Sequence, residues 1–138
     1  MNALRWRSAH LSELPSLRME GKARPDWKPV RHHLGIAAFG TNAYVARAAG
    51  DPVVPEHDER REDGEPEHEE LYVVSAGRAE FRLDGEALDA PAGTLVFVRD
   101  PAVVRSAVAR EDNTVVLAVG APAGAPFRVS SWERSYTG

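Results

Sequence analysis

The sequence predicts an all-β domain, a sandwich or a barrel, and three features of one stretch, His68 to Val98, carry that expectation. Between His68 and Ser75 the residues alternate and are rich in Tyr and Val, which suits a half-buried strand. After Gly77 the alternation resumes, with Ala79, Phe81 and Leu83 set against Arg78, Glu80 and Arg82. Asp84-Gly85 is a two-residue hairpin signal, because a type I′ turn needs positive φ at both central positions. Pro91-Ala92-Gly93 punctuates again before the apolar run Leu95–Val98. Short strands separated by turn signals every eight to twelve residues or so point to a sandwich or barrel.

Taken in order, residues 1–33 read as an N-terminal arm. Ser12–Leu17 can cap a single helical turn, but Pro15, Pro25 and Pro29 discourage a longer helix. Trp6 and Trp27 are too apolar to leave in water, so they are expected on the outside of the barrel or against a second subunit. The arm is basic, with seven arginines and lysines, Lys22 and Arg24 among them, against three acids up to Arg31. Residues 34–130 form the barrel. Leu34–Ala48 reads as one or two strands broken near Gly40-Thr41-Asn42, with Arg31-His32-His33 leading into the first. Gly35, Gly40 and Gly50 weigh against a helix there. Asp51–Pro55 is a short extended piece, and His57–Pro66 has no apolar residue and is a loop. Further strands are expected at 69–75, 78–83, 86–89, 94–98, 103–109, 114–119 and 126–130. Residues 131–138 are a tail fastened to the surface by Trp132 and Tyr136.

The chain has 138 residues, enough for one domain with a real core. Its 43% hydrophobic and 28% charged residues are ordinary for a globular protein. A net charge of −4 argues against a nucleic-acid surface. Without cysteine, disulfides, thiolate catalysis and cysteine zinc sites are excluded. No apolar run approaches a membrane span, and no signal-peptide core opens the chain, so a cytoplasmic location is expected. Charge is unevenly placed: Asp51 to Glu70 holds ten acidic residues against two arginines. Such a run is either a solvated, self-repelling loop or a cluster of cation ligands. It also complements the basic arm, within one chain or across a dimer.

Glu70, six residues on, then Gly77 matches the second half of the first cupin motif, G-x5-H-x-H-x3,4-E-x6-G. EELYVVSAGRAEFRLDGE is similar to the cupin strand and hairpin that follow it, and PAGTLVFV resembles the start of the second motif, with Gly93 as its first glycine. The resemblance, over about residues 34–120, is to a small single-domain member of the cupin superfamily. It implies a double-stranded β-helix, a jelly-roll barrel, that holds a metal or small ligand and often forms a homodimer. The motif histidines are degenerate. Counting back from Glu70, the H-x-H pair falls on Gly64 and Pro66 or on Asp63 and Glu65, and the histidine of motif two falls on Val104, beside Arg105.

Other donors could replace them. His68, Glu70 and Tyr72 share one strand face, and the resemblance turns that face inward. His57 and Glu59 are spaced like a displaced H-x-H pair. His57, Glu59, His68 and Glu70 could thus hold one divalent transition metal (Zn, Fe, Ni or Mn), as imidazole with carboxylate suits such ions. Equally, His68 could begin a strand at the rim and His57 could sit solvated in the acidic loop. Arg105 could clamp a carboxylate or phosphate with Tyr72 nearby, or could pair with Glu70 as a structural ion pair. No nucleophile motif or phosphate loop is present, so no catalytic residue is assigned and enzymatic activity is left open. The leading expectation is a barrel that binds a small molecule at a degenerate metal site. The rivals are a metal-dependent oxygenase or isomerase using His57, His68 and Glu70, and a ligand-sensing or interaction module. The expected partners are a small molecule and a second copy of the chain, with neither nucleic acid nor membrane.

Overall fold

A computed structural model describes residues 5–18, 24–61 and 66–137. The local rules act first. Gly77 (φ +74) turns the chain from β5 (His68–Ala76) into β6 (Arg78–Leu83), and a Cβ there would collide with the Thr114 side chain. Asp84 (φ 49) and Gly85 (φ 86) are both left-handed and close the hairpin from β6 to β7 (Glu86–Pro91), as the Asp-Gly signal requires. The other strands are β1 (Leu17–Arg18), β2 (Asp26–Lys28), β3 (Gly40–Ala46), β4 (Pro52–His57), β8 (Leu95–Val98), β9 (Arg105–Ala109) and β10 (Thr114–Pro122).

These strands form two antiparallel sheets. One has six strands in the order β1-β2-β3-β10-β5-β8, the other four in the order β4-β9-β6-β7. Alternation gives each sheet one apolar face, and the two faces meet in a common core. Tyr72, Val74, Val96, Val98 and Val116 come from the larger sheet, and Val53, Val54 and Phe81 from the smaller. The Tyr72 and Phe81 rings meet between the sheets, 5.5 Å apart. Burying a ring such as Phe81 contributes about 1.5–3 kcal/mol.

Several expectations are corrected. Arg31-His32-His33 does not lead into a strand but lies in α1 (Val30–Leu34). Gly35 stops this helix as its left-handed C-cap (φ 74), its N–H bonding to the Arg31 carbonyl. Gly40-Thr41-Asn42 starts β3 rather than breaking a strand. No strand forms at 126–130, and β10 instead runs on to Pro122. The final residues form a second helix, α2 (Ser131–Thr137). The H-x-H positions at Asp63, Gly64 and Glu65, and Lys22 of the arm, lie outside the described residues.

Trp27 moves furthest from expectation. It is wholly buried and belongs to the core rather than to the outside. β2 pairs with β3 so that Trp27 stands directly opposite Tyr44, and opposed residues of an antiparallel pair share a face. Part of the expected arm is thus a strand of the larger sheet. The Trp27 indole N–H donates to Asn42 Oδ1 at 2.7 Å, so its polar edge is satisfied. α2 brings Trp132 and Tyr136 onto the same indole, with ring centroids at 5.0 and 5.3 Å. A buried ion pair holds α2 in place, Arg31 Nε donating to Glu133 Oε2 at 2.7 Å. Trp27 is therefore unavailable to a second subunit, whereas Trp6 is 78% exposed.

Candidate functional site

The polar centre lies where the two sheets face each other. β4 ends at His57 and β9 begins at Arg105, and these two residues are direct partners across the ladder. From the opposite sheet, β5 presents Glu70 and Tyr72 on one face, as a period of two dictates. Glu59 follows β4 by two residues and completes the group.

Hydrogen bonding fixes the roles of these atoms. His57 Nδ1 lies 2.7 Å from the Pro55 carbonyl, which can only accept, so that nitrogen carries a proton. Its Nε2 therefore faces the acids, 3.3 Å from Glu59 Oε1 and 3.7 Å from Glu70 Oε1. The Tyr72 hydroxyl donates a short bond to Glu70 Oε1 and stands 3.5 Å from His57 Nε2. Arg105 Nη1 donates to the same glutamate oxygen at 3.2 Å. Its Nε and Nη2 donate to the Val103 carbonyl at 3.1 and 3.0 Å, and Nη2 also reaches the Asp100 carbonyl at 3.3 Å. Arg61 Nη2 donates to Glu59 Oε2 at 3.1 Å.

The electrostatics follow from these contacts. Burial works to lower the His57 pKa, but hydrogen bonds to Glu59 and Glu70 outweigh it and push it up to about 10. Burial works to raise that of Glu70, yet His57, the Tyr72 hydroxyl and the charge of Arg105 hold it below the usual carboxylate value. Burial and the Glu70 charge push Tyr72 well above the ordinary phenol value. Tyr44 is raised by burial first and then by the charges of Glu70, Glu59 and Glu133. At neutral pH these shifts keep the His57 imidazolium and the Glu70 carboxylate charged together, with Arg105 beside them.

Above these residues opens a cavity of about 380 Å³, toward the small end of ligand pockets. Tyr44, Tyr72, Trp132 and Tyr136 give it an aromatic wall, and His57 and Glu70 lie at its polar side. A smaller adjoining hollow of about 40 Å³ shares Glu59, Arg61 and Glu70 with it. The expected site residues divide between the two. His57, Glu59 and Glu70 offer ligand atoms within 4.8 Å of one another, and Tyr72 joins them on the cavity wall. His68 is not in that group. It faces the smaller hollow, its ring 5.6 Å from that of Phe127. Alternation along β5 puts His68 on the correct face but carries it beyond the cluster.

Arg105 does face inward, whereas the adjacent Val104 is 37% exposed. However, its side chain is wholly buried, it does not line the cavity, and its donors are engaged by Glu70 and two carbonyls. The alternative ion pair with Glu70 is what forms. The same observation tests the group against a metal. A ligating imidazole must be unprotonated at the ligating atom, and ligating carboxylates need free lone pairs. Here Nε2 holds a proton between two acids, and Glu70 Oε1 is already met by Arg105 and Tyr72. A divalent metal would have to displace that proton and compete with Arg105 and Tyr72 for Glu70 Oε1, so the arrangement favours the ion pairs. Sequence reasoning missed Tyr44, Arg24 and Arg61 as cavity residues, and it treated Trp132 and Tyr136 only as surface anchors.

No protein-family model matches the sequence, and no curated protein matches it. Solved structures do. An RmlC-like cupin protein from Desulfovibrio desulfuricans superposes with a TM-score of 0.64 at 24% identity, over 86% of this chain and 98% of that one. A predicted oxalate decarboxylase from Thermotoga maritima gives 0.63 at 16% identity, over 83% and 97%. A sugar phosphate isomerase of the cupin superfamily from Silicibacter pomeroyi gives 0.64 at 15% identity, over 83% and 74%. Two antiparallel sheets packed on one core, the strand that runs from Glu70 to the Gly77 turn and these superpositions agree: the chain has the cupin fold, a double-stranded β-helix.

Proposed function

We propose that the protein binds a small, ring-bearing molecule in the cavity between its sheets, with a guanidinium ion taking the place of a metal beneath it. The observation that carries this reading is the Arg105–Glu70 pair. It puts a permanent positive charge against the acid that the cupin motif reserves for metal, and its N–H groups are held by protein atoms. Above it, four aromatic rings offer flat apolar surface, and His57 and Tyr72 offer oriented polar atoms. Such a combination, mostly apolar walls with a few placed polar groups, is what fixes small ligands.

The metal-dependent enzyme stands as the rival because His57, Glu59 and Glu70 do converge. Some fold neighbours carry the names sugar phosphate isomerase and oxalate decarboxylase. The protonated imidazole and the paired acids weigh against it. Trp132 lines the cavity and so reports on it. A panel of small aromatic and sugar-ring compounds, screened by thermal shift and tryptophan emission, should contain members that raise Tm and alter emission. Trp132→Phe should abolish the emission change and keep the Tm rise. A panel without any response, together with retained stoichiometric metal, would overturn the proposal.

A further inference from the structure

The cavity also carries information about the charge of its ligand. Arg61 Nε is buried and has no hydrogen-bond partner, the one side-chain atom of that kind among the described residues. Its Nη2 is engaged by Glu59, so the free donor sits on an arginine already anchored at its tip. Leaving a buried donor unpaired costs about 1–3 kcal/mol. Native structures leave few such atoms without a partner. Arg61 lines both the larger cavity and the hollow beside it, so an acceptor oxygen entering there would complete its bonding.

The surrounding charges favour an anion. Asp58 is gripped by Arg60 through Nε and Nη2 at 3.0 and 2.8 Å. Glu70 is matched by Arg105, and Glu59 by His57 at one oxygen and by Arg61 Nη2 at the other. Asp58, Glu59 and Glu70 thus each have a cation, which leaves the Nε edge of Arg61 and the charge of Arg24 against Glu56 among the residues lining the cavity. Arg24 is exposed and makes no ion pair with a described residue. The Nε edge of a guanidinium offers a donor in the plane that an oxyanion prefers.

We infer that the ligand is an oxyanion-bearing ring compound, its carboxylate or phosphate held by Arg61 Nε and attracted by Arg24, its ring against Trp132. This inference rests on the cavity being a ligand site, and its test keeps the two apart. Benzoate, phenyl phosphate and uncharged benzamide serve as probes, titrated against tryptophan emission at low ionic strength. At least one anion should bind about tenfold or more tighter than benzamide, consistent with one charge-assisted hydrogen bond. The tighter of the two identifies the oxyanion. Arg61→Gln should bring anion affinity down to that of benzamide. Arg61→Lys keeps the charge without the Nε donor and should lose most of the preference, which separates directed bonding from simple attraction. Arg24→Gln lies at the exposed rim and should weaken anion binding by a few-fold, with unfolding curves confirming that each variant is folded. Equal affinity for all three probes, or a preference that survives Arg61→Gln, would overturn the inference and leave ligand binding standing. Failure of all three probes would overturn the inference, and the wider panel decides ligand binding separately.

Discussion

Arg105 and Arg61 each hold one of the two glutamates of the same cluster, and they do different work. Arg105 is sealed: its side chain is wholly buried, and Glu70 and two backbone carbonyls take its donors. Arg61 is open: its side chain is 16% exposed, one nitrogen is bound by Glu59, and a buried donor is left over. The difference originates in the backbone. Arg105 starts a strand in the middle of a sheet, where both neighbours and its own turn surround it. Arg61 lies beyond the end of β4, where no ladder fixes its partners. A fully satisfied buried cation belongs to the structure. A partly satisfied one beside a cavity is available to a ligand.

The largest effect should come from the sealed side. Arg105→Met leaves the buried Glu70 carboxylate with only Tyr72 and His57 and frees two carbonyls, and it should cost about 3–5 kcal/mol in urea unfolding. Glu70→Gln with Arg105→Met removes both charges and should recover a substantial part of that loss. A single variant losing under about 1 kcal/mol would show that the ion pair is not structural. Next comes the other sealed arginine. Arg31→Met leaves Glu133 buried alone and should cost about 3 kcal/mol, with α2 loosening from Trp27. Limited proteolysis within 131–137 should then be faster than in the parent.

The pH dependence should be two-sided. The His57 pKa is raised from 6.5 to about 10, so its contribution is full below 6.5 and fades as pH climbs through 10. That of Glu70 is lowered from 4.5, so its contribution is full above 4.5 and fades as pH falls below it. Stability should plateau between these limits and decline on either side, and His57→Gln should flatten the alkaline limb and, because His57 also holds the Glu70 pKa down, weaken the acid limb in part. The smallest effect belongs to the open side. Arg61→Gln should change stability by no more than about 1 kcal/mol, while removing the preference for anionic probes.

The same contrast governs what the sequence makes legible. The Asp84-Gly85 hairpin and the Gly77 turn are read directly, because each depends on the φ of one or two residues. That Glu70 and Tyr72 share a face follows from alternation, while the inward turn of that face and the reading of His57-x-Glu59 as a displaced H-x-H pair follow from the cupin resemblance. Trp27 is hidden because its burial needs β2 to pair with β3 and α2 to fold over it, contacts between residues far apart in the chain. Gly35 reads as a breaker, but it caps a helix. Periodicity over-reads His68, since it cannot say where along the strand the cavity ends. Arg61 is invisible in a run of charges, because nothing local separates a solvated arginine from one turned inward.

Calorimetric titration of Zn²⁺ and Mn²⁺ into the parent protein at pH 7 tests the exchange of metal for arginine most directly. With Arg105 on Glu70 and a protonated His57, no one-to-one site should appear. Tight stoichiometric binding that disappears with His57→Ala or Glu70→Gln would contradict the account and restore a metal centre.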